Sequence, residues 1–202
     1  MARAGGGYHS LVRAARHLRP LPVQTHPVVL GTVIFLASEL MFFSALFATY
    51  YDLKAYNKVW PPAYVHLDQP GMALGTFMLF VASAMMFPFM RAVRARHVTA
   101  ARGWLFASIF GGIGFLAFEV HGWAKQGFGI STDAYGSIFM TMTGFHFLHV
   151  VAGLIMLSML LLGLRSQAFL SDERSGVEAI SYYWHFVFVV WIGVYATLFL
   201  VR

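Results

Sequence analysis

The chain contains no cysteine among its 202 residues. This absence excludes disulfides, cysteine-ligated iron–sulfur clusters, thiolate copper sites and a cysteine nucleophile, so a redox centre in this chain would need histidine or methionine ligands. Charge is also scarce, because Asp, Glu, Lys and Arg make up 11% of the residues, against about 25% in an ordinary soluble domain. Hydrophobic residues make up 59% and the mean hydropathy is +0.68, a balance that indicates an integral membrane protein.

Five apolar runs are long enough to cross a bilayer, which takes about 20 mostly apolar residues in a helix. They cover residues 28–51, 71–90, 104–123, 136–164 and 179–201. We therefore predict an all-α integral membrane protein, a bundle of five transmembrane helices that forms one domain over residues 28–202. Residues 1–27 carry four arginines and three prolines and lack the apolar core of a cleaved signal peptide, so we predict a basic cytoplasmic arm there.

Lysine and arginine are distributed unevenly around these runs. Ten lie in the N-terminal arm and in the loops after the second and fourth runs, and four lie in the remaining loops and at the C-terminus. The positive-inside rule then predicts a cytoplasmic N-terminus, and five crossings place the C-terminus outside. Because the arginines flank the runs as lipid-facing clusters do, topology and anionic lipid account for the net charge of +6 without any nucleic-acid partner.

An ionisable group at bilayer depth is costly and is a functional candidate by default. Glu39 lies near the middle of the first run among Phe35, Leu36, Phe42 and Phe43, where desolvation favours the neutral acid. Two interpretations follow for Glu39: a protonated carboxyl in an interhelical hydrogen bond, or a proton-linked or lipid-linked group.

The last run carries a polar stripe. Glu178, Ser181, Tyr182 and His185 are spaced so that they fall on one helix face. Glu178 has two interpretations: a functional member of this polar stripe, or a capping residue, because a glutamate in the first turn complements the helix dipole.

Histidines in a membrane bundle raise the question of haem. His146 and His149 lie on one turn of the fourth helix and cannot oppose each other as axial ligands. His149 and His185 lie at different depths, about 22 Å and about 9 Å from the same end of the bundle. Interhelical core histidines are therefore the default interpretation, and we predict no metal site, no haem and no catalytic residue in this chain.

Several separated segments resemble the cytochrome c oxidase subunit III family. GTVIFLASELMFFSALFATYY at 31–51 resembles the family helix with a buried glutamate, VWPP at 59–62 resembles its Trp-Pro-Pro loop, and FLAFEVHGW at 115–123 resembles its Tyr-Glu-Trp helix end. The last two helices of the family are also resembled, in residue identity and spacing, by TGFHFLHVVAG at 143–153 and GVEAISYYWHFVFVVW at 176–191. The similarity runs from about His26 to the C-terminus. Actinobacterial-type cytochrome oxidases resemble this chain in having a short, five-helix subunit III with a basic arm.

The resemblance implies a core subunit of a proton-pumping haem–copper oxidase that works in aerobic respiration in a bacterial plasma membrane. Such a chain is part of an enzyme but carries no redox centre, since haem and copper belong to partner subunits. Subunit I is the implied main contact, with subunit II, other oxidase subunits and phospholipid as further partners, and a respiratory supercomplex is compatible with this assignment. The implied contributions of the chain are phospholipid binding, support of proton uptake and durability of the active site.

The resemblance also implies roles for particular residues. The residues with an implied lipid-binding or proton-linked role are Glu39, Arg165, Glu178, Trp184 and His185. The residues with an implied role as buried polar groups between helices are Glu119, His146, His149 and Tyr182.

Two departures from the family pattern affect these expectations. Long members have seven spans, whereas this chain begins at the equivalent of the third, so we expect no cleft between a first helix pair and the other five within this chain. Phe188 stands where the family usually has aspartate, so the polar stripe is expected to end one turn earlier, at His185. Three alternatives remain: subunit III of a quinol oxidase, a free-standing membrane b-type cytochrome or carrier, and an oligomeric transporter.

Overall fold

The structure, a computed structural model, describes residues 27–164 and 174–201. These residues form helices and connecting turns and contain no strand. The helices are α1 (Pro27–Tyr56), α2 (Gln69–Ala84), α3 (Met86–Arg94), α4 (Val98–Lys125), α5 (Ala134–Gly163) and α6 (Arg174–Tyr195), and a π-helical turn (Ala196–Leu200) follows α6. The predicted basic arm lies outside the described residues apart from Pro27, with which α1 begins.

Within residues 27–164 and 174–201, five helical stretches are long and apolar enough to cross a membrane. α1, α4 and α5 each form one stretch, α2 and α3 together form another, and α6 with its π-helical turn forms the last. The predicted fold class, an all-helical membrane bundle with five spans, is confirmed. The cytoplasmic position of the N-terminus stays a prediction.

The second span is broken at Met85, between α2 and α3. Pro88 has no backbone N–H, so the carbonyl of Ala84 loses the donor that a continuous helix would supply four residues later. The sequence predicts one run over 71–90, and the structure instead divides this span between two helices. α3 then carries Arg91 and Arg94 in its last turn.

α6 is the central helix of the bundle. It packs against α1, α2 and α5, while α4 packs against α2, α3 and α5. Half of the apolar stretch of α6 is buried, against 6% of that of α1. α1 therefore lies at the edge of the bundle with most of its apolar surface uncovered.

Two aspartates at one end of the bundle begin helices. The side chains of Asp68 and Asp133 accept hydrogen bonds from the backbone N–H of Gly71 and Gly136, at the first turns of α2 and α5. Asp68 also lies 3.4 Å from the ammonium nitrogen of Lys125 at the end of α4. The hydrogen bond from Gly71 and, to a smaller extent, Lys125 lower the pKa of Asp68 from its ordinary value, against the opposing effect of partial desolvation.

Candidate functional site: polar groups between the helices

A carboxyl and an imidazole meet between α1 and α5. Glu39 Oε2 lies 3.0 Å from His149 Nε2, and 23% of the Glu39 side chain and 16% of the His149 side chain are exposed. Both residues lie near the middle of their helices. The structure thus brings together two residues that the sequence singles out separately.

The second ring nitrogen of His149 defines how this contact is made. His149 Nδ1 lies 2.7 Å from the carbonyl oxygen of Phe145, and because a carbonyl only accepts, Nδ1 carries a hydrogen. Nε2 then either accepts a hydrogen bond from protonated Glu39 or, in an imidazolium, donates one to the carboxylate. In both arrangements the two side chains share one proton and sum to zero charge, which lowers the cost of placing them in a membrane.

Aromatic side chains pack around the pair. The Phe43 ring lies edge-on to the His149 ring at 5.2 Å, and the Tyr183 ring stacks on it at 6.5 Å. The Tyr183 hydroxyl donates a hydrogen bond of 3.0 Å to the carbonyl oxygen of His149. α6 thereby holds the segment of α5 that presents His149 to Glu39.

The stripe on α6 lines a pocket against α3. Glu178, Ser181, Tyr182 and His185 all face it, as the helical spacing predicts. Tyr182 is nevertheless 46% exposed, so the expectation that it is a buried interhelical group is wrong. The stripe faces an open pocket at the edge of the bundle, and Tyr182 lies on the open side.

His185 contacts the end of α2. Its Nδ1 lies 2.7 Å from Ser83 Oγ, and its ring lies 4.9 Å from the ring of Phe87. Glu178 lies 3.8 Å from the guanidinium of Arg94, and both side chains are substantially exposed. The pocket therefore joins charged groups at its mouth to a half-buried imidazole deeper in.

Trp184 lies away from this pocket. It is 1% exposed and packs into the space left by Gly112 on α4 and Gly153 on α5. A methyl group on either glycine would lie within 3.0 Å of the indole ring. The contacts of Trp184 are thus those of a packing residue, and the structure separates it from Glu178 and His185.

Two predicted interhelical polar residues lie deep in the bundle. His146 is fully buried, its Nε2 lies 3.2 Å from the carbonyl oxygen of Val187, and its ring lies 4.7 Å from that of Trp191. Glu119 is also fully buried, but neither carboxylate oxygen has a hydrogen-bond partner among the described residues. His146 therefore connects α5 to α6, whereas Glu119 makes no interhelical hydrogen bond with this part of the chain.

Arg165, the other residue predicted to contact lipid, lies outside the described residues. Over the ranges 27–164 and 174–201, no group of three or more His, Asp or Glu side chains could hold a metal ion. His146, His149 and His185 each contact a different helix partner.

Sequence reasoning missed the partners of these residues. Ser83, Tyr183 and the arginines of α3 were not singled out, although Ser83 is one of few hydroxyls in its run. Arg91 and Arg94 were counted only for topology. Their roles depend on which helices are neighbours, which no local pattern specifies.

The arrangement defines a class of protein: a multi-pass membrane bundle whose ionisable groups are paired between helices or directed into an edge pocket. Residues 18–201 match the family model described as cytochrome c oxidase subunit III. A probable cytochrome c oxidase subunit 3 of Nocardia farcinica is 38% identical over 179 residues, which cover 87% of this chain and 88% of the relative. Relatives named cytochrome c oxidase subunit 3 from Corynebacterium diphtheriae and Thermostichus vulcanus are 35% and 31% identical, with 87% and 85% of this chain and 88% and 86% of the relatives covered.

The chain therefore belongs to the cytochrome c oxidase subunit III family. It is a membrane protein and part of an oxidase complex, and it associates with other oxidase subunits. The resemblance of the sequence to this family is confirmed.

Proposed function

We propose that this chain is the non-redox subunit III of a proton-pumping cytochrome c oxidase in a bacterial plasma membrane. In this role it packs on subunit I, binds phospholipid, supports proton uptake and prolongs the lifetime of the active site. Electron transfer and oxygen reduction take place at haem and copper centres of the partner subunits. The names and bacterial sources of the relatives support this proposal.

The proposed support of proton uptake rests on one observation, the contact between Glu39 and His149. It holds one shared proton in a bond of 3.0 Å, and both side chains remain partly exposed at the edge of the bundle. Release of that proton leaves one negative charge on the pair, and the partial exposure of both side chains lowers the cost of that charge. We assign to the pair a positioning and proton-holding role, with no direct contact to oxygen or to a metal.

The uncovered surface of α1 supports the packing role. Its large apolar side chains, including Ile34, Met41 and Phe42, are exposed in the isolated chain. α1 also carries Glu39, so a partner packed on this helix would lie close to the proton-holding pair. We assign this face to subunit I and to phospholipid between the two subunits, with Arg165 as a further proposed headgroup contact.

The first test is oxygen uptake by the complex that a tag on this chain retains from its own membranes in mild detergent. Uptake driven by reduced cytochrome c is the expected result. Uptake with quinol alone would assign the chain to a quinol oxidase, and no uptake with either donor would refute the oxidase role. A Soret band in the spectrum of the isolated chain would favour a membrane cytochrome instead.

A further inference from the structure

A groove runs along the seam between α2–α3 and α6, on a different helix pair from Glu39 and His149. Its polar end has a volume of about 240 Å³, and its lining includes Met86, Phe87, Arg91, Arg94, Glu178 and His185. Its apolar part has a volume of about 340 Å³, and its lining includes Thr76, Phe77, Phe80, Phe188, Ile192 and Tyr195. The polar end lies between α3 and α6, the apolar part lies between α2 and α6, and the two follow one another along α6. We call them together the α2–α6 groove.

The polar end carries an excess of positive charge. Arg91 and Arg94 contribute two cations and Glu178 one anion, so these side chains sum to one positive charge. Arg91 has no ion-pair partner in residues 27–164 and 174–201, and Arg94 is 3.8 Å from Glu178 with 67% of its side chain exposed. A phosphodiester carries one negative charge and offers acceptor oxygens that match the guanidinium donors.

The rest of the groove is apolar. After His185 the face of α6 continues with Phe188 and Ile192, and the Phe188 ring lies 5.7 Å from that of Phe80 on α2. Phe188 follows His185 by three residues on α6, so the apolar part begins directly after the polar end. A free phosphate would use only the polar end, whereas an acyl chain would cover the exposed rings beyond it.

The length of the groove fits one leaflet. Glu178 and Ile192 are 14 residues apart along α6, which corresponds to about 21 Å at the helical rise. Half of the hydrocarbon core is about 15 Å, and one headgroup layer adds about 6 Å. A phospholipid with its phosphate at Arg91 and Arg94 would therefore reach Ile192 with its acyl chain.

From this geometry we propose that the α2–α6 groove binds one glycerophospholipid, with the phosphodiester at Arg91 and Arg94 and an acyl chain along Phe80, Phe188 and Ile192. The inference deepens the phospholipid-binding part of the proposed function and rests on it. It assigns a lipid to a seam that does not contain Glu39.

The test counts phospholipid in the purified oxidase complex after a fixed detergent wash, by phosphorus content and by native mass spectrometry. R91Q/R94Q removes the two guanidinium charges at the polar end, and R96Q is its control, because Arg96 is an exposed cation just after α3 that does not line the groove. I192W fills the apolar part, and V189W is its control, because Val189 is an exposed residue of α6 outside the groove. Each test variant is expected to lose one phospholipid per copy of this chain, and neither control is.

The outcomes separate the other possible occupants. An unchanged phospholipid count in both test variants overturns the proposal. A second contradicting result would be radiolabelled orthophosphate that binds the delipidated wild-type complex but not R91Q/R94Q, when the phospholipid counts of the purified variants are unchanged. It would assign the polar end to free phosphate and overturn the proposal. Loss of a partner subunit with lipid retained would make the groove a protein interface, a third contradicting result.

Oxygen uptake with reduced cytochrome c, measured on the same preparations, keeps the two proposals apart. Uptake together with an unchanged phospholipid count in the test variants refutes phospholipid binding in the groove and leaves the oxidase role supported. Absence of uptake in the wild-type complex with both cytochrome c and quinol refutes the oxidase role, while the lipid counts still decide whether the groove binds phospholipid.

Discussion

Replacing Gly153 with alanine should destabilise the bundle through the contact of α5 with Trp184. The added methyl group would lie 2.6 Å from the Cε3 and Cζ3 atoms of the indole, where ordinary contacts are 3.4–4 Å. Trp184 cannot retreat easily, since it is 1% exposed and Gly112 on α4 bounds its other side. Overpacking of this kind costs about 1–3 kcal/mol.

Gly144 supplies the matched control because it lies in the same helix and a methyl group there would meet nothing within 4 Å. Both substitutions gain the same helix propensity, about 1 kcal/mol for Gly→Ala. G153A is therefore expected to be less stable than G144A by about 1–3 kcal/mol, which is the overpacking cost alone.

The assay is an SDS titration of the purified complex in mixed micelles, with the folded fraction of this chain followed by its resistance to protease. G153A should unfold at a lower SDS fraction than wild type or at nearly the same one, and G144A at a higher one. Equal midpoints for the two variants would refute the claim that Trp184 is fixed between the two glycines.

Three further predictions concern the proton-linked pair, the assembly and pH. E39Q keeps a hydrogen-bond donor for His149 but cannot share a proton, so we expect normal haem content with faster loss of activity per turnover in oxygen-uptake traces; wild-type proton uptake and lifetime would contradict the proposed role. A complex stripped of this chain should still reduce oxygen but take up protons more slowly and inactivate sooner, as stopped-flow proton uptake and turnover number would show, and full activity with full lifetime would contradict this. The pKa of Asp68 is lowered in the fold, so its contribution to stability is present above its ordinary pKa of 3.8 and is lost as pH falls through the lowered value. The stability difference between wild type and D68N should therefore shrink between pH 6 and pH 3. A constant difference over this range would refute the stabilising role of the Asp68 carboxylate.

The spans were predictable because apolar length is a local property of the sequence. Each predicted run lies largely within one crossing of the structure. The break at Met85 does not follow from apolar length, because Pro88 interrupts the helical hydrogen bonds without shortening the apolar run. Helices also extend past the runs, as α1 does to Tyr56, because polar residues continue a helix beyond the membrane core.

The site was only partly predictable. The stripe from Glu178 to His185 follows from helical spacing, and the structure places its four residues in one pocket. The contact of Glu39 with His149 joins residues 110 positions apart, and no periodicity specifies which helices are neighbours. Trp184 was grouped with Glu178 and His185 because all three belong to one family motif, yet successive residues of a helix point about 100° apart and so reach different neighbours.

That geometry couples the parts of the site through α6. Tyr183 hydrogen-bonds the carbonyl of His149, Trp184 packs against Gly112 and Gly153, and His185 contacts Ser83 beside the α2–α6 groove. A rotation of α6 that relieved Trp184 would move its two neighbours by the same angle, because the three share one rigid turn. The overpacking in G153A should therefore disturb the Glu39–His149 pair and the groove together, although neither contains Gly153. A defect confined to stability, with lipid content and proton uptake unchanged, would show instead that the bundle absorbs the strain without turning α6.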